Sequence, residues 1–137
     1  MVEYTCPDCG GKKLKRQRFN VFIKDKNIHE LCSMQLTELY DFINSLTFPM
    51  DKKHIAEPIV QEIKKRVSLL NQIGLDYLSL GRRADTISGG EAKRIRLATQ
   101  ICTGLMGMIY ILDEPSIGLH ARYSKNVINI LNQLRDI

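Results

Sequence analysis

The stretch Ile87-Ser88-Gly89-Gly90-Glu91 opens the part of the chain that decides its fold, and Leu112-Asp113-Glu114-Pro115 closes it. Ser88, followed three residues later by Glu91, is the pattern of a helix N-terminal capping box. Apolar residues then recur at helical spacing and predict a helix over about 89–103, which glycines at 104 and 107 end. The continuous apolar run 108–112 is typical of a strand inside a parallel sheet.

Each of these two motifs has a chemical and a purely structural interpretation. Unpaired N–H groups at the positive end of a helix attract phosphate, glycines let it approach, and the Ser88 hydroxyl can donate to it. The alternative is a plain helix cap. Acids at the carboxyl end of a sheet strand suit phosphoryl transfer, with one acid placing Mg²⁺ and the next activating water. The alternative there is an ordinary strand end.

Length and composition limit the possible classes. A chain of 137 residues with 44% apolar residues is one domain, or part of a larger one, with enough material for a core. It has no run of eighteen apolar residues and no signal-peptide pattern, so we expect a soluble, cytoplasmic protein without a membrane partner. The net charge of +5 arises from clusters that form either a solvated face or a phosphate-facing patch: Lys12, Lys13, Lys15, Arg16, Arg18, Lys64, Lys65, Arg66, Arg82 and Arg83.

A cysteine pair lies near the start of the chain, in Cys6-Pro-Asp-Cys9-Gly-Gly. Two thiolates at this spacing can hold one zinc ion from a tight turn, and the glycines free the backbone to turn its N–H groups toward sulfur. A tetrahedral structural site needs four ligands, so the pair is a half-site. The sequence does not decide where the other two ligands come from. They are either residues outside this chain or two of Cys32, His29, His54, Cys102 and His120. The alternative is a pair of reduced cysteines in a turn.

The remaining segments predict packing elements. Alternation over 19–31, with a polar turn at 24–27, predicts a short hairpin. Ser33 is placed to cap a helix over 34–46, and Asp51 a second helix that Pro58 interrupts or kinks. One apolar face of this second helix, ended by Gly74, consists of Ile59, Ile63, Val67, Leu70 and Ile73. Residues 75–87 are irregular, residues 116–122 form a turn, and a final helix follows with apolar Val127, Ile130, Leu131 and Leu134.

The order of these motifs resembles a known family. Ser-Gly-Gly-Glu, a helix beginning Ala-Lys-Arg-Ile-Arg-Leu-Ala and an apolar strand ending Leu-Asp-Glu-Pro are similar to the signature motif, helix and Walker B strand of ABC-type ATPases. With Pro-Ser-Ile-Gly-Leu-His after the acids, and with the cysteine pair and Gly74-Leu-Asp-Tyr-Leu-Ser-Leu before them, nearly the whole chain resembles the UvrA family of excinuclease components. Pro-Ser-Ile-Gly-Leu-His indicates the first of that family's two ATPase modules.

The resemblance implies a fold and a set of site residues. The fold is α/β but mainly α, with a helical signature subdomain (1–107) that includes a short hairpin, and with the Walker B strand, inter-module loop and following helix of a truncated ATPase core (108–137). The signature residues, which contact ATP bound on the opposing module, are Ser88, Gly89, Gly90 and Glu91. Asp113 helps to place Mg²⁺, and Glu114 is the catalytic acid that polarises water. The remaining assignments are Ser116, Gly118 and His120 in the inter-module loop, Cys6 and Cys9 as the zinc half-site, and Lys93 in place of a usual glutamine.

The same resemblance implies a protein that recognises DNA damage in nucleotide excision repair and is linked to the SOS response. Its cofactors are ATP and Mg²⁺, and its partners are DNA, UvrB, a second ATPase module and a second UvrA protomer. No Walker A sequence is present, so we expect this chain alone not to hydrolyse ATP. One alternative is a stand-alone zinc-containing nucleic-acid-binding or adaptor module. Another is the corresponding lobe of a transporter or chromosome-maintenance ATPase, against which the cysteine pair and the Ser-Ile-Gly-Leu-His loop argue.

Overall fold

The computed structural model describes residues 4–103, 111 and 121–135. Within these ranges the chain forms five α-helices, one two-stranded antiparallel hairpin and two short 3₁₀ turns. The expectation of a mainly helical fold with a short hairpin is therefore confirmed. Apart from Ile111, the predicted strand 108–112 lies outside the described residues. None of the helices in the described ranges has the length and apolar character needed to cross a membrane.

The hairpin is shorter than predicted because helical structure borders it on both sides. A 3₁₀ turn, Arg16–Asn20, precedes strand β1 (Phe22–Ile23), which pairs with β2 (Lys26–Asn27). Helix α1 (Ile28–Ser33) begins directly after β2. The side chain of Asn27 accepts the N–H groups of His29 and Glu30 at 3.0 and 3.1 Å, and the Glu30 carboxylate accepts the N–H of Asn27 at 2.8 Å. This capping box ends the extended backbone, so the predicted hairpin over 19–31 is wrong at both ends.

Ser33 does not cap the next helix. It is the last residue of α1, and its hydroxyl donates to the carbonyl oxygen of His29 at 2.8 Å. Helix α2 (Leu36–Asn44) has Gln35 at its N-cap, where the Glu38 carboxylate accepts the Gln35 N–H at 3.2 Å. The helix therefore starts two residues later than predicted, because Ser33 is already used inside α1.

Helix α3 (Met50–Gln72) is continuous through Pro58, so the expected interruption is wrong, and its N-cap is Pro49 rather than Asp51. Pro58 is exposed, so water can bond to the carbonyl group that the proline ring leaves without a donor. The helix ends as predicted at Gly74, whose φ of +76° favours glycine.

Only the C-terminal half of α3 is buried. Val67 and Ile73 are 3% and 0% exposed, whereas Ile59 and Ile63 are 57% and 42% exposed. The second pair faces an open apolar groove bounded by β1, α1 and α2. The predicted apolar face is therefore correct in its spacing but is covered along only half of its length, where α2, α4 and α5 pack against the helix.

Helices α4 (Gly89–Thr103) and α5 (Ala121–Arg135) complete the core. The limits of α4 agree with the predicted 89–103, while α5 begins inside the predicted turn 116–122. The buried apolar side chains come from every helix except α1 and from the segment after α3: Leu36, Leu39, Ile43, Val67, Leu69, Ile73, Leu75, Leu78, Leu97, Ala98, Val127 and Ile130.

The predicted irregular segment consists of turns and a 3₁₀ helix (Ala84–Thr86). Its first part, residues 75–82, is fixed by backbone hydrogen bonds to the junction of α1 and α2. The N–H of Leu36 donates to the carbonyl of Leu78 at 2.8 Å, and the N–H of Gly81 donates to the carbonyl of Cys32 at 2.7 Å. This segment therefore lies in a defined position beside the start of α4.

Candidate nucleotide-contacting turn

The turn at residues 88–91, called here the signature turn, is a reciprocal capping box. The Glu91 carboxylate accepts the N–H of Ser88 at 2.7 Å, and the Ser88 hydroxyl oxygen accepts the N–H of Glu91 at 3.3 Å. The capping box read from the sequence is therefore confirmed. Gly89 and Gly90 are the first two residues of α4, and N–H groups at these positions have no acceptor within the helix.

The outer surface of the signature turn is open. Ser88, Gly89 and Gly90 are exposed, and a Cβ built on either glycine would have no atom within 4 Å. Neither glycine has a positive φ. Since packing and backbone conformation both permit a side chain here, what the two glycines provide is unobstructed access to N–H groups at the positive end of a helix.

Glu91, in contrast, points into the protein. The residue is 5% exposed. The Tyr77 hydroxyl donates to one of its carboxylate oxygens at 2.5 Å, and a guanidinium nitrogen of Arg82 lies 3.7 Å from the same oxygen. The Tyr77 hydrogen bond, followed by that from the Ser88 backbone, lowers the pKa of Glu91 to about 2, and the same contact raises the pKa of Tyr77. The carboxylate is therefore ionised and fixed at neutral pH.

A second group of contacts joins the start of α4 to α5 through the turn after α3. Arg94 donates to the carbonyl oxygen of Gly74 at 3.2 Å, and the Tyr123 hydroxyl donates to the Asp76 carboxylate at 3.2 Å. Sequence reasoning did not assign roles to Tyr77, Arg94 or Tyr123. A tyrosine in an irregular segment just before a capping box was the available signal, but spacing alone does not reveal its partner.

The two arginines before the turn are bound within the chain. Arg82 donates to the carbonyl oxygen of Thr86 at 2.8 Å, in addition to its ion pair with Glu91. Arg83 contacts the Asp85 carboxylate at 2.6 Å, and this hydrogen bond lowers the pKa of Asp85. The sequence left open whether these arginines belong to a solvated face or to a phosphate-facing patch. In the structure both are paired with carboxylates of the chain itself, Arg82 with Glu91 and Arg83 with Asp85.

The cysteine pair forms a tight turn suited to one side of a metal site. The N–H of Gly10 donates to the carbonyl of Cys6 at 2.8 Å, and Gly10 and Gly11 have φ values of +58° and +80°. Backbone N–H groups of Cys9 and Asp8 lower the pKa of the Cys6 thiol. Across the described residues, no three His, Cys, Asp or Glu side chains come together to hold a metal ion, so Cys32, His29, His54 and Cys102 do not complete the half-site.

The remaining predicted site residues lie outside the described residues: Asp113, Glu114, Ser116, Gly118 and His120. Their assigned roles stay predictions. Lys93 is exposed on α4, four residues after Gly89, and adds positive charge near the start of the helix.

Comparison with known proteins gives consistent matches. UvrABC system protein A of Clostridium perfringens is 53% identical over 137 residues, covering 100% of this chain and 15% of that protein. UvrABC system protein A of Methanothermobacter thermautotrophicus is 46% identical over 137 residues, covering 100% of this chain and 14% of that protein. The crystal structure of UvrA2 from Deinococcus radiodurans has a TM-score of 0.80 at 32% identity, covering 96% of this chain and 18% of that one. No protein-family model matches the chain.

The mainly helical fold, with its short antiparallel hairpin and a capped helix that opens with Ser-Gly-Gly-Glu, resembles a region of a UvrA-type protein. The chain is homologous over its whole length to a segment of UvrABC system protein A, so the resemblance to the UvrA family is confirmed. It spans about 15% of the length of these relatives.

Proposed function

We propose that the chain is the C-terminal part of the first ABC-type ATPase module of a UvrA-type protein that acts in nucleotide excision repair. Residues 1–107 would be its signature subdomain, and residues 108–137 the Walker B strand, inter-module loop and following helix. The observation that carries the proposal is the signature turn, where two glycines expose the N-terminus of α4 although neither packing nor φ requires them. The homology to UvrABC system protein A supports the family context, and ATP as the ligand of that surface is part of the proposal.

The signature turn would bind the γ-phosphate of ATP held on an opposing module. Gly89 and Gly90 offer backbone N–H donors at the positive end of a helix, and the Ser88 hydroxyl can still donate its proton while its oxygen accepts the N–H of Glu91. Glu91 would belong to the same site as the carboxylate that fixes the turn. Lys93 would strengthen the positive potential in front of the glycines.

The predicted acids would serve the ATP of the chain's own module. Asp113 would help to hold Mg²⁺, which neutralises charge on the phosphates, and Glu114 would polarise the attacking water. Ser116, Gly118 and His120 would form the loop that crosses between modules. ATP binding in the whole protein would then control engagement of DNA and loading of UvrB in the cytoplasm, with a second ATPase module and a second UvrA protomer as further partners.

Zinc would be bound by Cys6 and Cys9 together with ligands beyond the described residues. The pair fits this role because its thiols share one tight turn and backbone N–H groups point toward the Cys6 sulfur. Metal analysis of the UvrA-type protein of which the chain is proposed to be a part, with and without Cys6→Ser, would test this assignment. Loss of zinc only in the variant is expected, and equal zinc in both would refute it.

The proposed function is tested by transferring the chain into a relative in place of the segment to which it aligns. In this test the chain replaces the 137 residues to which it aligns in UvrABC system protein A of Clostridium perfringens, which supplies the remainder of the protein. The graft should hydrolyse ATP, and Glu114→Gln should lower kcat by at least about 100-fold, as expected when the group that orients attacking water is lost. The matched control is Glu62→Gln, which removes an exposed carboxylate from α3.

Three results would count against the proposal. They are a folded graft without turnover, equal turnover in the graft and its Glu114→Gln variant, or turnover by the 137-residue chain alone that Glu114→Gln abolishes. DNA binding that does not respond to nucleotide, together with a complete zinc site, would instead favour the alternative of a zinc-containing nucleic-acid-binding or adaptor module.

A further inference from the structure

The Tyr77 hydroxyl reaches the signature turn from a separate and firmly packed segment. Tyr77 itself is 50% exposed, but Leu75 and Leu78 on either side of it are 0% and 5% exposed. The carbonyl of Leu78 also accepts the N–H of Leu36 from the start of α2. These contacts fix the backbone that carries Tyr77 and so hold its hydroxyl in position for the 2.5 Å hydrogen bond to Glu91.

The position of the Glu91 carboxylate matters because it carries a negative charge within the first turn of α4. If it turned outward, it would stand beside the N–H groups of Gly89 and Gly90 and repel a phosphate approaching them. Three groups hold it inward: the Tyr77 hydroxyl, the Ser88 N–H and, at 3.7 Å, the Arg82 guanidinium. Ser88 belongs to the turn itself and Arg82 is at the longer distance, so Tyr77 is the closest restraint from outside the turn.

We propose that Tyr77 is a positioning residue for the phosphate-contacting turn. Its hydrogen bond keeps the Glu91 carboxylate buried, so that Gly89 and Gly90 present their N–H groups to an incoming phosphate without a competing negative charge. This inference rests on the proposed function and deepens it, because it names the residue that prepares the turn for its anionic ligand.

The first test needs no nucleotide. The pKa of Glu91 is measured in the 137-residue chain by carboxyl carbon NMR, for the native sequence, Tyr77→Phe and Tyr40→Phe. Tyr77→Phe should raise the pKa from about 2 toward its ordinary value near 4.5, because the largest cause of the lowering is removed. In this variant Arg82 and the Ser88 backbone N–H still lower the pKa of Glu91 in part. Arg94 is the other charged group that acts on Tyr77. Tyr40→Phe, on α2, should leave the pKa unchanged.

The second test measures turnover in the graft described above. Tyr77→Phe should lower kcat/KM for ATP about tenfold, on the scale of one lost hydrogen bond to a charged group. The loss should fall mainly on kcat, because the phosphate loop of the opposing module holds ATP. In a Glu91→Gln background the same change should cost less than about twofold, since no carboxylate remains to be held inward. Tyr40→Phe is again the control.

A merely structural role for Tyr77 predicts equal losses in both backgrounds, and that result would overturn the inference. So would a Glu91 pKa that stays near 2 in Tyr77→Phe, or an active graft in which Tyr77→Phe behaves like Tyr40→Phe. A graft without turnover would count against the proposed function instead, and the Glu91 titration would still decide whether Tyr77 holds the carboxylate.

Discussion

Replacing Glu91 by glutamine should destabilise the chain in a pH-dependent way. The carboxylate accepts hydrogen bonds from Tyr77 and Ser88 at 2.5 and 2.7 Å, and its side chain is 7% exposed. These contacts lower its pKa from 4.5 to about 2. At about 1.4 kcal/mol per pH unit, this corresponds to at most roughly 3.5 kcal/mol of unfolding free energy at neutral pH.

The direction of the pH effect follows from the lowered pKa. A carboxyl that is more acidic in the folded chain than in the unfolded chain stabilises the fold fully above about pH 4.5, and this stabilisation is lost as the pH falls toward about 2. Glutamine resembles the protonated carboxyl in shape and, like it, carries no charge. The unfolding free energies of the native sequence and Glu91→Gln should therefore differ most at neutral pH and converge near pH 2.

Urea denaturation followed by far-ultraviolet circular dichroism, repeated in steps from neutral pH to about pH 2, measures this difference. Glu62→Gln is the matched control. Glu62 pairs with Arg66 at 2.8 Å, but the two side chains are 50% and 63% exposed, so its replacement should change stability little. A Glu91→Gln difference that stays constant with pH, or that is no larger than the Glu62→Gln difference, would refute the assignment of Glu91 as a buried, ionised cap.

Three glycine substitutions should differ in their effect on stability according to backbone conformation and available space. Gly74→Ala combines a φ of +76° with a Cβ that would lie 2.9 Å from the Tyr123 ring, and should cost at least about 2 kcal/mol in urea denaturation. Gly10→Ala, with a φ of +58° but open space, should cost only roughly 1 kcal/mol. If Gly74→Ala and Gly10→Ala lost equal stability, the clash with the Tyr123 ring would not contribute to the cost at Gly74. Gly89→Ala should leave stability unchanged or raise it by about 0.5 kcal/mol, yet lower ATP turnover of the graft. Unchanged turnover would contradict an N–H contact at that position.

The features that were predicted correctly from the sequence depend on residues close together in the chain. The capping box joins positions three apart, so Ser88 and Glu91 identify the start of α4 without knowledge of the rest of the fold. Gly74 likewise marks the end of α3 through its own backbone conformation. Ser33 was assigned to the wrong helix because Asn27 and Glu30 form an earlier capping box, which shifts the following boundary.

The features that were missed depend on tertiary packing. Tyr77 and Glu91 are 14 positions apart, and their contact exists because Leu75 and Leu78 are buried beside the start of α4. Periodicity also predicts an apolar face on α3 without revealing that its N-terminal half, including Ile59, stays exposed. The roles of Asp113 and Glu114 remain predictions from the homology and the order of motifs.

The signature turn separates two requirements that its sequence pattern combines. Folding needs Ser88 and Glu91, which cap each other's N–H groups, and the hydrogen bond from Tyr77 strengthens this cap. Folding does not need Gly89 or Gly90, because each sits in ordinary helical backbone with open space where a side chain would be. Glycine in a helix costs up to about 1 kcal/mol relative to alanine, so a turn that only capped α4 would be more stable without them. A ligand that must reach the backbone N–H groups accounts for both glycines, and phosphate is the ligand that the positive end of a helix favours.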